Sequence, residues 1–158
     1  MLKVFEPEDV NSAKSFWGDE EVMQYCLGAT PHELLSKTID YYIKCHEEQG
    51  LSVYAVVEKE SEQVIGAAGL NLGSSTESVE LIFHLNKDSW GKGYATEAAT
   101  ACVDIAKRHN SVEYIYASAN PINTGSLKVL EKIGLKYQGM KWFDDVQEEE
   151  AYYEMHLE

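Results

Sequence analysis

The 158-residue chain predicts an α+β fold: a mixed sheet with helices on both of its faces. Three observations lead there. Between Glu77 and Leu85, Val79, Leu81, Phe83 and Leu85 alternate with Ser78, Glu80, Ile82 and His84, the period of a strand. After Gly93, Ala95, Ala98, Cys102 and Ile105 recur at the spacing of a helical stripe. Glycines and prolines then punctuate the chain into strand, two helices, three strands, helix, strand, helix and two strands.

Each element has a local cause. Leu2–Phe5 reads as a short strand. Pro7 opens a helix to about Trp17, which Gly18 ends. Thr30-Pro31-His32-Glu33 has the form of a capping box, and the helix it opens carries Leu35, Ile39, Tyr42 and Ile43 on one face to near Gly50. Ser52–Lys59 and Gln63–Leu72 are strands across a tight polar turn, and Glu77–Leu85 follows as the third. The helix after Gly93 runs to about Arg108, with Lys107 and Arg108 suited to its C-terminus. Val112–Ala117 is a strand, Asn123–Ile133 a helix stopped by Gly134, and Lys136–Phe143 and Glu150–Leu157 are strands joined by an acidic loop. No internal repeat or long linker divides the chain, so residues 1–158 are expected to form a single domain.

Composition narrows the function. Twenty-seven acidic residues against 13 basic ones give a net charge of −14. That field repels nucleic acid and favours cationic partners such as amines or basic peptides. No stretch approaches the roughly 18 apolar residues of a membrane span, and no signal segment opens the chain, so no membrane partner is expected. Cys26, Cys45 and Cys102 form no Cys-x-x-Cys pair, which predicts neither disulfides nor a metal site and fits a cytoplasmic location.

The most specific signal is the turn after the third strand, Trp90-Gly91-Lys92-Gly93-Tyr94-Ala95-Thr96. Two glycines let a backbone approach a ligand closely, and the unpaired N–H groups of a helix start, with Lys92 beside them, suit a pyrophosphate. The spacing is neither a Walker A loop nor a dinucleotide fingerprint, since position 96 is Thr, which disfavours a nucleotide-binding domain. It resembles the acetyl-CoA loop of the GNAT superfamily of N-acetyltransferases, written Gln/Arg-x-x-Gly-x-Gly/Ala, with Trp90 in the first position. The string Gly-Lys-Gly-Tyr-Ala-Thr-Glu-Ala is similar to the Rim-like branch, which acetylates ribosomal-protein N-termini. Further likeness lies in Asp19-Glu20-Glu21-Val22-Met23-Gln24-Tyr25, in Asn123-Thr124-Gly125-Ser126 and in Leu130-Glu131-Lys132-Ile133-Gly134-Leu135. The branch's usual Arg-Leu-x-Leu-Arg opening is absent, Glu20 stands where Pro is usual, and Leu135 where Phe is.

The resemblance implies the GNAT fold, a mostly antiparallel twisted sheet of about seven strands, and acetyl-CoA as cosubstrate without a metal. It implies transfer of acetyl directly to a primary amine, either a protein N-terminal α-amine, which the Rim-like motifs favour, or a small-molecule amine. Ile82, Phe83, His84 and Leu85 would pair with the pantetheine amides beside a bulge that splays two parallel strands. Trp90, Gly91, Lys92, Gly93, Tyr94, Ala95 and Thr96 would cradle the phosphates. Glu80 would act as general base, the Phe83 N–H would polarise the thioester carbonyl, Asn123 would contact pantetheine, and Ser126 would lie near the sulfur as proton donor. Ile82 stands where the family usually has glycine, and Leu130 where many members carry a tyrosine acid. His84 is a candidate relay, and Tyr25, Trp142, Tyr153 and the acidic loop Asp144–Glu150 are candidates for the acceptor side. Asn is also a favoured N-cap and Glu80 a possible surface strand residue. The sequence leaves the oligomeric state open, a homodimer included. A non-catalytic acyl-CoA-binding or sensing domain remains the alternative.

Overall fold

The apolar runs pair into one sheet in the computed structural model, which describes residues 1–73 and 75–157. Its strands are β1 (Leu2–Lys3), β2 (Val53–Val57), β3 (Val64–Leu72), β4 (Ser78–Leu85), β5 (Tyr114–Ala119), β6 (Lys136–Phe143) and β7 (Glu148–His156). They lie in the order β1-β2-β3-β4-β5-β7-β6. Neighbours are antiparallel except β4 and β5, which run parallel because α3 crosses between them.

The helices are α1 (Val10–Ala13), α2 (Leu35–Gln49), α3 (Tyr94–Arg108) and α4 (Thr124–Lys132). Two apolar layers hold them to opposite faces. On one face, Val79, Leu81 and Ile115 meet Ala99, Cys102 and Val103 of α3 and Leu130 of α4. On the other, Val53, Ala55 and Ala67 meet Phe16, Trp17, Leu35 and Ile39. All five residues of β2 are buried, as expected of a strand covered on both faces. The rings of Phe5 and Tyr42 flank Trp17, with centroids 5.3 and 5.6 Å away.

The N-terminal helix is shorter than its pattern suggested. A 3-10 turn (Pro7–Asp9) leads into α1, which ends at Ala13. Gly18 N–H donates back to Ala13 O at 3.1 Å, and the turn it closes folds Phe16 and Trp17 into the core. The capping box at Thr30 does not form. Thr30 N–H donates to Trp17 O at 2.8 Å, and the chain enters α2 through a 3-10 turn (His32–Leu34) with no side-chain cap. Gly50 ends α2 in the left-handed conformation, φ 73°.

Ile39 is wholly enclosed, whereas Lys37, two residues away, is exposed. Ile39→Ala is expected to lower stability in chemical denaturation by about 2–5 kcal/mol. Lys37→Ala should change it by less than about 0.5 kcal/mol. Equal effects would mean that α2 does not pack as described.

Candidate active site

The site begins where two parallel strands part. Pairing between β4 and β5 covers only Ser78–Tyr114, Val79–Ile115 and Glu80–Tyr116. Beyond Glu80, β4 stays with β3 as far as Leu85, while β5 stays with β7 to Ala119. The expected bulge is not what separates them, since the β3–β4 register runs from Leu72–Val79 to Gly66–Leu85 without a shift. Divergent loyalties of β4 and β5 open the seam instead.

The phase of the ladder decides which groups face that seam. Asn86 N–H donates to Ile65 O at 2.8 Å. By alternation, the even-numbered residues of β4 bond to β3, and the odd-numbered ones, Phe83 among them, turn their N–H and C=O the other way. The Leu85 carbonyl so released accepts the Trp90 indole N–H at 2.9 Å, which ties the strand end to the following turn. The Phe83 N–H lies past the last β4–β5 pair and faces the opening.

Gly91 and Gly93 have φ of 77° and 80°, a conformation in which a side chain is strained. Their bends turn the backbone into α3, which has no side-chain cap. The N–H groups from Gly91 through Thr96 have no acceptor among the described residues, and the first α3 bond is Glu97 N–H to Gly93 O at 3.2 Å. A Cβ placed on either glycine would meet nothing within 4 Å, so open space lies over the cradle. Six unpaired donors at a helix start form an anion site of the kind that holds a pyrophosphate.

Seam and cradle belong to one cleft of about 820 Å³. It is lined on the α3–α4 side by Gly91, Gly93, Tyr94, Ala95, Thr96, Asn123 and Ser126, with Leu85 and Trp90 at the strand end. Asn123 also caps α4, its Oδ1 accepting from Ser126 N–H at 3.4 Å. Toward α2 the cleft is lined by Glu80, Ile82, His84, Tyr42 and the segment containing Met23, Tyr25 and Cys26. Asp19 shapes that segment by accepting from Glu21 and Val22 N–H at 2.9 and 3.0 Å, and Lys87 ties it to the turn before the cradle through Asp19 (3.7 Å) and Glu21 (3.6 Å).

Burial sets the electrostatics. It raises the Glu80 carboxyl above the usual carboxylate range, with Asn71 acting against the shift and Asp145 adding to it. Burial also raises Glu150, Ser118 opposing and Glu148 and Asp145 reinforcing. The enclosed His84 imidazole is pushed down to about 4, so it is neutral at pH 7. Its Nε2 lies 3.6 Å from Cys26 Sγ, and its Nδ1 is shut from solvent without a partner. Burial and the carboxylates of Glu150, Glu80 and Glu148 push the Cys26 thiol up to about 11, which leaves it a poor nucleophile.

Three residues expected at the site lie elsewhere. Tyr153 is a core residue, its hydroxyl donating to Glu131 at 3.2 Å. Trp142 is exposed on β6 and donates to Asp144 at 2.7 Å. Lys92 points to a shallow groove on the other rim, beside Glu58. Tyr94 holds Glu58 at 2.8 Å; Asp145 and Glu150 of the acidic loop do line the cleft, and Cys26 and Asn71 join it through long-range packing that no local motif announces. Among the described residues, no cluster of metal-ligating side chains occurs, and no helix is long and apolar enough to cross a membrane.

Residues 1–136 match the family described as "Acetyltransferase (GNAT) domain". A Bacillus licheniformis protein called "Uncharacterized N-acetyltransferase p20" is 28% identical over 143 residues, which span 88% of this chain and 80% of that protein. The fold is similar to that of a GNAT-family acetyltransferase from Bacillus anthracis, with a TM-score of 0.83, 24% identity, and 98% and 93% of the two chains covered. It is also similar to yncA, a putative acetyltransferase from Salmonella typhimurium solved with its cofactor acetyl-CoA, with a TM-score of 0.79, 13% identity, and 100% and 94% covered.

His84 carries a pH signature. Its pKa is lower folded than unfolded, so the unfolded chain binds more protons between about pH 4 and 6.5, and this contribution to stability falls as pH drops through that window. The raised Glu80 and Glu150 act with opposite sign. A difference between wild type and His84→Leu isolates the imidazole. The variant is expected to show a shallower slope of unfolding free energy against pH in this window, by up to about 1.4 kcal/mol per pH unit. Parallel slopes would mean that His84 titrates normally.

Proposed function

The chain belongs to the GNAT acetyltransferase family, and from that premise we propose that it is an N-acetyltransferase, a single catalytic domain over residues 1–158 that moves an acetyl group from acetyl-CoA to a primary amine. The observation that carries this reading is the parted seam between β4 and β5, which joins a backbone anion cradle to a buried carboxylate within one cleft. The cradle residues fit the diphosphate of CoA through unpaired N–H groups, and Leu81, Phe83 and Leu85 offer a strand edge to which pantetheine amides can add. A sensing domain would need the cradle but not a carboxylate raised by burial beside it.

Bound acetyl-CoA supplies an activated acetyl group as its thioester. Glu80, directly or through one water, accepts a proton from the ammonium, since a free alkyl ammonium has a pKa of about 10 and is protonated at neutral pH. The neutral amine nitrogen bonds to the acetyl carbon, and the Phe83 N–H holds the oxygen as charge develops on it. As the carbon–sulfur bond breaks, the thiolate leaves with the electron pair and takes a proton from Ser126, which is restored by the second proton that the nitrogen gives up in becoming a neutral amide. Cys26, with its thiol pushed up, takes no acyl group in this scheme. The Rim-like motifs support a peptide α-amine as one form of the acceptor. A cytoplasmic location fits a reaction that consumes acetyl-CoA.

The test is release of free thiol from acetyl-CoA in the presence of primary amines. Glu80→Gln keeps the size of the side chain and removes the proton acceptor. Turnover is expected to fall by roughly 10²–10⁴-fold at neutral pH while acetyl-CoA affinity holds, with partial recovery at high pH. Full activity of this variant at pH 7 would remove Glu80 from the mechanism.

The cradle has its own test. Gly93→Val places a branched side chain at φ 80° and over the N–H groups. Calorimetry is expected to show loss of CoA binding, together with a stability cost of about 1–2 kcal/mol from the left-handed backbone. Unchanged CoA affinity would overturn the phosphate assignment.

A further inference from the structure

β3 carries one polar side chain. Every residue of Val64–Leu72 except Asn71 is apolar or glycine. Strands disfavour asparagine, and a local rule broken inside a regular element points to a site rather than to the fold. The register sets Asn71 directly opposite Glu80, and facing residues of such a pair hold their Cβ atoms about 5 Å apart. Leu70 and Leu72 pack on the α3 face, as do Val79 and Leu81. By alternation Asn71 and Glu80 stand together on the α2 face, and both line the cleft.

α2 brings Tyr42 to the same place. Its ring lies against Trp17 at 5.6 Å, and its carbonyl accepts from the buried Ser52 hydroxyl at 2.6 Å. The phenol is thus held, and the Asn71 amide bonds both to it and to the Glu80 carboxyl. One amide has two N–H donors, enough to serve both oxygens.

Among the described residues, nothing else around Glu80 favours its ionised form. Tyr116 faces it from β5, Cys26 from the segment before α2, and Asp145 and Glu150 from the β6–β7 hairpin, while His84 shares its strand face. Burial pushes Tyr42 up to about 12 and Cys26 up to about 11, raises Tyr116, and pushes His84 down to about 4. All four are therefore neutral at pH 7. Asp145 and Glu150 are acids and bring no positive charge. Burial and Asp145 raise Glu80, and Asn71 alone acts against them.

Resting on the reading of Glu80 as proton acceptor, we propose that Asn71 is its positioning residue: the amide N–H holds one carboxylate oxygen and leaves the other turned to the cleft, where the ammonium arrives. Such a bond has its full strength only while the carboxylate is ionised. Asn71 therefore aims Glu80 and also sustains the charged fraction that burial would otherwise reduce. Loss of the donor lifts the Glu80 pKa further, so a base that works deprotonated needs a higher pH to do so.

Asn71→Val and Asn71→Thr have nearly the same shape, both suit a strand, and they differ by one O–H donor. Carbon NMR of the free protein follows the Glu80 carboxyl titration in each, with Glu80→Gln to identify the resonance. Asn71→Val is expected to raise the midpoint by roughly 1–2 pH units, the worth of one hydrogen bond to a charged group. Asn71→Thr should recover part of that rise. The rising limb of kcat/KM against pH should move with the midpoint, while the KM for acetyl-CoA holds. Added to Glu80→Gln, Asn71→Val should cost no further activity. A midpoint in Asn71→Val equal to wild type, or equal midpoints in the two variants, overturns the proposal with or without turnover and leaves the transferase reading standing. If the midpoints move as expected and Glu80→Gln keeps full activity, it is the reading of Glu80 as base that fails.

Discussion

Everything in this molecule that resembles a site depends on where two strands stop bonding to each other. Past Glu80–Tyr116, β4 and β5 each keep one antiparallel partner and abandon the bond between them. Backbone groups that a continuous sheet would satisfy are left facing an opening. A sheet normally separates the space above it from the space below. Here the opening runs through it, so ligands held on opposite faces can meet.

The two ends of that opening are built from different physics. On the α3–α4 face, charge complementarity comes from backbone dipoles: six N–H groups aligned by two left-handed glycines and a helix start. On the α2 face it comes from carboxylates drawn partly out of water. The enclosed, neutral His84 stands between them. A chain with a net charge of −14 thus carries unpaired N–H donors and raised carboxyls along one cleft. Local dipoles govern the first and local burial the second; net charge governs neither.

Much of this was legible in the sequence, for identifiable reasons. Alternation at Val79–Leu85 and the turn Gly91–Gly93 are local signals, and local signals set β4 and the start of α3 correctly. The family resemblance named the same residues. The errors arose where tertiary contacts overrule local pattern. Phe16 and Trp17 have helical spacing, yet the core draws them in through a turn instead. Thr30 has the chemistry of a cap, yet its backbone is already bound to Trp17. Tyr153 and Trp142 looked alike as aromatics near the C-terminus, and only the β5–β7–β6 pairing puts one in the core and the other on the surface. Cys26 and Asn71 could not be placed at all, because they reach the cleft from distant segments and no spacing records that meeting.

The absence of any lysine from the lining of the cleft, among the described residues, has a chemical consequence of its own. Acetyl thioesters acylate exposed lysine amines without help, slowly and indiscriminately. A protein that gripped its donor with an ammonium would be open to losing that grip as the reagent accumulated. Main-chain N–H groups are amides already and have no basic lone pair to acylate. With Lys92 turned to the outer rim, a thioester donor bound at the cradle, as proposed, would meet amide N–H groups that it cannot acylate.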